Sequence, residues 1–175
     1  MVKKNADHSQ GALPLGEDRP AQISSEIRAK IESEMAKFPV KRGALLNALH
    51  LVESEAGYIS QEISKELAGL FEIHPSDVLG VVSFYNMFHD RPQGRHHAHV
   101  CTNLSCSLRG GRTLLRQLEE HLGVRPGETT PDGRVTLEHE ECLGACAYAP
   151  MMRVDETYHE DLDLEQAKKI LDGLE

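Results

Sequence analysis

The cysteines constrain what this chain can become more than any other feature does. There are four, and they form two pairs, Cys101-x4-Cys106 and Cys142-x3-Cys146, with residues 107–141 between them. Arg109-Gly110-Gly111 follows the first pair, and Leu143-Gly144-Ala145 fills the second. No cysteine is left over as a lone nucleophile. A fold that uses all four must bring two loops, distant in sequence, to one place. Such a thiolate quartet fits a bound metal or an iron–sulfur cluster.

Two disulfides are the first alternative, and they belong to secreted chains. The N-terminal Met-Val-Lys-Lys-Asn-Ala-Asp-His has no apolar stretch after its lysines, so it does not read as a secretory signal. Asp7, Glu17 and Asp18 make the same region too acidic for a transit peptide. The expected home is therefore the cytosol, with reduced thiols. Zinc is the second alternative, and it favours tighter knuckles of the C-x2-C kind. Plant-type 2Fe–2S ferredoxins carry a C-x4-C pair among their ligands. Spacing thus favours iron–sulfur over zinc, although both accept four thiolates.

The glycines fit that chemistry. Lacking a Cβ, they let the backbone approach a cluster closely, and cluster sulfurs need backbone N–H groups directed at them. A helix starting at Gly110-Gly111 would also turn its positive end toward the site. Gly144 lies where a tight turn must bring the second pair of sulfurs to one side. Glu138, Glu140, Glu141 and Asp155 surround the loops with negative charge. They should lower the potential within the range of about −700 to +450 mV that such clusters span.

Charge and composition exclude other classes. The formal net charge is −9, and apolar residues make up 39% with no tryptophan. Residues 1–94 hold 10 Lys/Arg against 13 Asp/Glu, and residues 95–175 hold 9 against 15. An acidic chain is poorly suited to phosphate backbones, so no nucleic-acid partner is expected. The more acidic cysteine half calls for a partner with a basic or neutral face. No apolar run approaches the roughly 20 residues of a membrane span.

Residues 1–22 are polar and punctuated by Gly and Pro, which predicts a mobile tail. Helical periodicity then appears four times: Ile27/Ile31/Met35 after a Ser24 or Ser25 cap; Leu45/Leu46/Leu49/Val52 in a helix over 42–56 stopping at Gly57; Ile63/Leu67/Leu70 after Ser60; and Val78/Val81/Val82/Tyr85 after Pro75. These predict an α-helical bundle over 23–90. The segment from Ile59 to Tyr85 could pass for a helix-turn-helix, but Lys65 is its single basic residue and DNA reading depends on Lys and Arg. Asp90-Arg91-Pro92-Gln93-Gly94 marks a boundary. Beyond it, over 95–175, the pattern predicts a strand at 97–100, a helix carrying Leu114, Leu115, Leu118 and Leu122, and a turn-rich stretch over 125–133. Strands at 135–137 and 151–154 and a closing helix over 164–174 complete a β-α-β-β-α order, with the cysteines on loops leaving strand ends. The fold class is α+β: a four-helix bundle followed by an α/β domain.

His96, His97 and His99 crowd the first strand, and His139 precedes Cys142. Two His could replace two Cys in a Rieske-like centre, but four cysteines make that unnecessary. The histidines are read instead as solvent-facing residues on an edge strand. Arg109 is either a guanidinium beside the site or a surface residue. Phe84, Tyr85 and Phe88 are read as core or domain-interface aromatics.

At the cysteine loops the chain resembles a known family. Val100-Cys101-Thr-Asn-Leu-Ser-Cys106-Ser-Leu-Arg-Gly-Gly111, Leu122-Gly-Val-Arg-Pro-Gly-Glu-Thr-Thr-Pro-Asp-Gly133 and Glu141-Cys-Leu-Gly-Ala-Cys146 carry the likeness, with Ala149-Pro150-Met and Gly80-Val-Val-Ser-Phe-Tyr85. They are similar to the E-type, or 24-kDa-type, subunit of respiratory NADH:quinone oxidoreductase, over about residues 25–173. Ser105 departs from the pattern, since many relatives have Pro there. The His96-His97-Ala98-His99 run is also unusual.

The resemblance implies a thioredoxin-like ferredoxin domain holding one 2Fe–2S cluster on Cys101, Cys106, Cys142 and Cys146. It implies a flavoprotein partner subunit that carries FMN, binds NADH and holds a 4Fe–4S cluster. Hydride chemistry would then lie on the partner, in keeping with the lack of a G-x-G-x-x-G fingerprint here. The whole would be a multi-subunit respiratory complex, peripheral to the inner membrane on its cytoplasmic side. Related subunits occur in the diaphorase modules of NAD-linked hydrogenases and in formate dehydrogenases, and a zinc-stabilised interaction module is the competing class. A cis peptide bond at Ala149–Pro150 is expected by analogy with thioredoxin-like loops.

Overall fold

The computed structural model describes residues 22–175; the tail expected over 1–22 lies, but for residue 22, outside the described residues. The chain divides into two compact units, one ending at Pro92 and the other running from Gln93 to Glu175.

In the first unit, α1 (Ser25–Met35) is followed by a 3-10 turn (Lys41–Ala44), α2 (Leu45–Ala56), α3 (Gln61–Phe71) and α4 (Pro75–Phe84). Their ends are set by local chemistry. Ser24 Oγ accepts the Ile27 N–H at 3.2 Å, and Ser60 Oγ accepts that of Ile63 at 3.1 Å. Each such cap contributes about 0.5–2 kcal/mol. Gly57 ends α2 with φ 76°, a left-handed position that costs glycine little. Pro75 opens α4 behind a reciprocal box between His74 and Asp77. The apolar stripes, apart from Leu46, which is exposed, meet as one core containing Ile31, Leu49, Ile63, Leu67, Phe71 and Val78, with α1 against α2 and α3 against α4. The helix expected from 42 begins instead as the 3-10 turn. Among the described residues no single helix is long and apolar enough to cross a membrane, and the apolar pair α3 and α4 is bent by 118°.

The second unit is a five-stranded mixed sheet. Its elements are β1 (His96–Cys101), α5 (Leu104–Leu108), α6 (Gly111–Leu122), β2 (Glu128–Thr129), β3 (Val135–Glu140), a 3-10 turn (Cys146–Tyr148), β4 (Met152–Val154), β5 (Thr157–His159) and α7 (Leu164–Asp172). The strand order is β2-β3-β1-β4-β5. β1 and β3 run parallel, from His96 opposite Val135 to Cys101 opposite Glu140. Parallel neighbours need a crossover, and α6 lies in that connection. Ala98, Val100, Val135, Leu137, Met152 and Val154 pack with Leu114 and Leu118 of α6 and Ala167 and Leu171 of α7. By strand alternation the opposite face carries His97, His99, Thr136, Glu138, Glu140 and Arg153.

Four expectations need correction. β1 is the central strand, not an edge, because it pairs with β3 on one side and β4 on the other. His99 is accordingly buried, at 4% exposure. Phe84 is exposed rather than part of the core, while Phe88 is buried. The order β-α-β-β-α omits α5, β2 and β5. These elements are five, two and three residues long, too short to show a period.

Candidate metal centre

The sheet topology brings the two cysteine loops together. Because β1 and β3 are adjacent and parallel, their C-terminal ends lie at the same edge, with Cys101 level with Glu140. The first loop leaves β1 at Cys101, and the second leaves β3 just before Cys142. Crevices at the carboxyl ends of parallel strands are where α/β sheets place their sites. Thr102 N–H donates to Glu140 O at 2.9 Å, so the loops begin hydrogen-bonded to each other. α5, carrying Cys106, packs on the 3-10 turn that starts at Cys146.

Several contacts fix the loops. Cys101 N–H donates to Met151 O at 3.2 Å. Tyr158 OH donates to Leu143 O at 2.9 Å, and Asp161 N–H to Tyr148 O at 2.8 Å. Gly144 sits at φ 83° between Cys142 and Cys146. Gly111, the first residue of α6, lies so close to the first loop that a Cβ would stand 2.8 Å from Cys101 O and 2.9 Å from Cys106 O. Only glycine leaves that space clear. The Ala149–Pro150 peptide before the closing strands is cis.

The four sulfurs are unequally placed. Cys101 and Cys106 are buried, and Cys142 and Cys146 are exposed. Burial raises the Cys106 thiol to about 11, aided by its hydrogen bond with Cys101 and by the charges of Cys101 and Cys146, while a Met151 backbone hydrogen bond opposes the rise. Left to protein groups, Cys106 stays a neutral thiol at pH 7; bound iron is what converts such a group into a thiolate. Cys106 thus lies within electrostatic reach of Cys101 and Cys146. Among the described residues no three His, Cys, Asp or Glu side chains converge tightly enough for a single ion. A two-iron cluster, with two thiolates on each iron, asks for a wider spread of sulfurs than one ion does. The donor set, the glycine clearance and the shared strand edge fit it.

The histidines take other positions. His99 Nδ1 lies 3.6 Å from Glu138 Oε2 and 3.7 Å from Glu140 Oε2, and its ring stacks with His97 at 6.2 Å. His96 Nδ1 contacts Asp155 Oδ2 at 2.7 Å. Arg109 is a surface residue paired with Asp161 at 3.9 Å. Sequence reasoning missed the exposed Leu104, Leu108 and Tyr148 beside the cysteines, at 69%, 80% and 52% exposure. The signal was present as Leu104 and Leu108 four apart on either side of Cys106, with Asn103 as an N-cap residue.

The family described as thioredoxin-like [2Fe-2S] ferredoxin matches residues 31–175. This chain belongs to that family. The family's cofactor is a 2Fe–2S cluster, and the mixed α/β unit over 93–175 is its thioredoxin-like ferredoxin fold. An E-type NADH-quinone oxidoreductase subunit of Rhizobium meliloti (strain 1021) is 40% identical over 147 residues, covering 84% of this chain and 88% of the relative. NADH-quinone oxidoreductase subunit 2 of Thermus thermophilus is 40% identical over 147 residues, covering 82% of this chain and 81% of the relative. Among solved structures, an air-oxidised NAD+-reducing [NiFe]-hydrogenase shares the fold, with TM-score 0.63, 24% identity and coverage of 73% of this chain and 22% of that one.

Proposed function

We propose that this chain is the electron-transfer subunit of an NADH-quinone oxidoreductase, holding its 2Fe–2S cluster on Cys101, Cys106, Cys142 and Cys146. The observation that carries the reading is the meeting of both cysteine pairs at one edge of the sheet, in a chain 40% identical to an NADH-quinone oxidoreductase subunit over most of its length. The cluster, when bound, supplies one-electron chemistry. The chain's own part is to hold the four sulfurs, to keep the backbone of α6 close through Gly111, and to screen Cys101 and Cys106 from water with Leu143, Ala149 and Met151. The charged groups over the sheet edge disfavour added negative charge and so lower the potential.

The helices of the first unit act as a bundle domain over 23–90, and the ferredoxin domain spans 95–175. Hydride transfer belongs to a flavoprotein partner that carries FMN and binds NADH, within a larger assembly on the cytoplasmic face of the membrane. Exposed Leu104, Leu108 and Tyr148 support docking at the cysteine end, because large apolar side chains clustered on a surface mark interaction sites. A diaphorase module of a hydrogenase would use the same architecture, and the genes beside this one separate the two.

The purified, cluster-loaded chain should take one electron from dithionite and show a 2Fe–2S EPR signal, with no NADH oxidation of its own. Adding the flavoprotein subunit should confer NADH-dependent reduction of the cluster. Robust NADH oxidation by the flavin-free chain alone would defeat the reading.

A further inference from the structure

Beside the second cysteine loop lies an open cavity of about 500 Å³, lined by Thr102, Arg112, Leu115, Arg116, His139 and Glu141. We infer that this cavity is a socket for an acidic side chain of the docking flavoprotein subunit, gripped by the guanidinium groups of Arg112 and Arg116. The inference rests on the heteromeric reading above and names where the partner's charge goes.

Three observations converge on it. Among the described residues the Arg112 side chain makes no hydrogen bond or ion pair, and that of Arg116 reaches only Thr113 Oγ1, at 3.4 Å. Arg112 is also placed against the interest of its own helix, since Arg116, which has Glu119 and Glu120 three and four residues on, stands four residues from it on α6, where like charges repel. Arg112 stands in the first turn, where the helix end is already positive and no acidic residue offsets it. A partner's carboxylate removes both penalties, since it meets the helix N-terminus and two planar forks suited to bidentate capture.

The third observation is charge contrast. The unit around the cavity is strongly acidic, with 15 Asp/Glu against 9 Lys/Arg over 95–175. Its cavity wall nevertheless holds two arginines against the single carboxylate of Glu141. A partner surface that is basic overall, to suit the acidic unit, would need one acidic group to match this spot. Such a like-in-unlike pattern fixes orientation and register, which is the main contribution of charge at an interface. The lining residue Glu141 directly precedes the exposed Cys142, so the grip would hold the partner beside the exposed half of the cysteine site. Leu115 gives the aliphatic part of the entering side chain an apolar contact.

The test measures binding of the full, cluster-loaded chain to the flavoprotein subunit from the same source, as Kd against salt concentration. The charge reversal Arg112→Glu with Arg116→Glu should weaken binding at least tenfold at low salt and flatten the salt dependence. Arg112→Lys with Arg116→Lys, which keeps charge but loses the fork, should cost less than the reversal. Glu141→Gln, which removes the cavity's carboxylate, should tighten binding. Unchanged EPR g values and thermal midpoint serve as the folding control for each variant. Binding by the double reversal within twofold of wild type, or binding weakened by Glu141→Gln, overturns the socket. Failure of the wild-type chain to bind the flavoprotein subunit at all overturns the heteromeric reading, and the socket with it.

Discussion

Replacing Gly111 with alanine adds one methyl group at the point where α6 touches the first cysteine loop. The new carbon would lie 2.8 Å from Cys101 O, 2.9 Å from Cys106 O and 3.0 Å from the Cys106 carbonyl carbon. All three are backbone atoms, so no side-chain rotation relieves the contact. Overpacking of this kind costs about 1–3 kcal/mol. Alanine's helix propensity would return at most about 1 kcal/mol, and less at a first helical position. The net loss is then about 1–2 kcal/mol, which at roughly 4–8 °C per kcal/mol for a domain of this size lowers the thermal midpoint by about 5–15 °C. Because the displaced atoms belong to Cys101 and Cys106, the visible absorption and EPR signal of the cluster should change as well. Scanning calorimetry and EPR on the loaded variant read both effects. Gly69→Ala, in the interior of α3 with nothing within 4 Å of a new Cβ, should be neutral or stabilising by up to about 1 kcal/mol. A Gly111→Ala chain with wild-type midpoint and spectrum would refute the close-approach argument.

Cys142→Ala should abolish or grossly alter the 2Fe–2S spectrum; retained absorbance and g values would remove Cys142 from the ligand set. In the chain stripped of its cluster, alkylation at neutral pH followed by mass spectrometry should label the exposed Cys142 and Cys146 well before the buried Cys101 and Cys106. Cys106, raised from a usual 9.0 to about 11, is protonated in the folded state over a range where the unfolded chain ionises. Its contribution to apo stability is therefore complete below pH 9 and should be lost as pH rises toward 11, which denaturant titrations can follow. His96 is held above its usual 6.5, first by the Asp155 hydrogen bond, so Asp155→Asn should bring its NMR titration midpoint down.

Much of the helical unit was legible because its signals are local. Ser24, Ser60, Pro75 and Gly57 act on neighbours within a turn, and the apolar stripes of α2 and α3 repeat over eleven or twelve residues. The parallel pairing of β1 with β3 leaves no such mark. It depends on α6 returning the chain, so the central place of β1 and the burial of His99 could not be read from a run of histidines. The cysteine spacing was legible as chemistry. The unequal burial of the sulfurs, and the helix α5 that carries Cys106, follow from tertiary packing that a five-residue segment cannot announce. The cavity at Arg112 and Arg116 was hidden likewise, because two arginines four apart on a polar helix face look like solvated surface until Thr102 and His139 are brought beside them.

The parallel alignment of Cys101 with Glu140 also bears on how the protein is made. At about 5–20 residues per second of synthesis, the first cysteine pair leaves the ribosome some seconds before the second. No sheet edge exists to receive a cofactor until β3 has emerged and paired with β1. A cofactor held by both loops can therefore be received only after β3 has paired with β1, with Cys142 and Cys146 as the exposed pair.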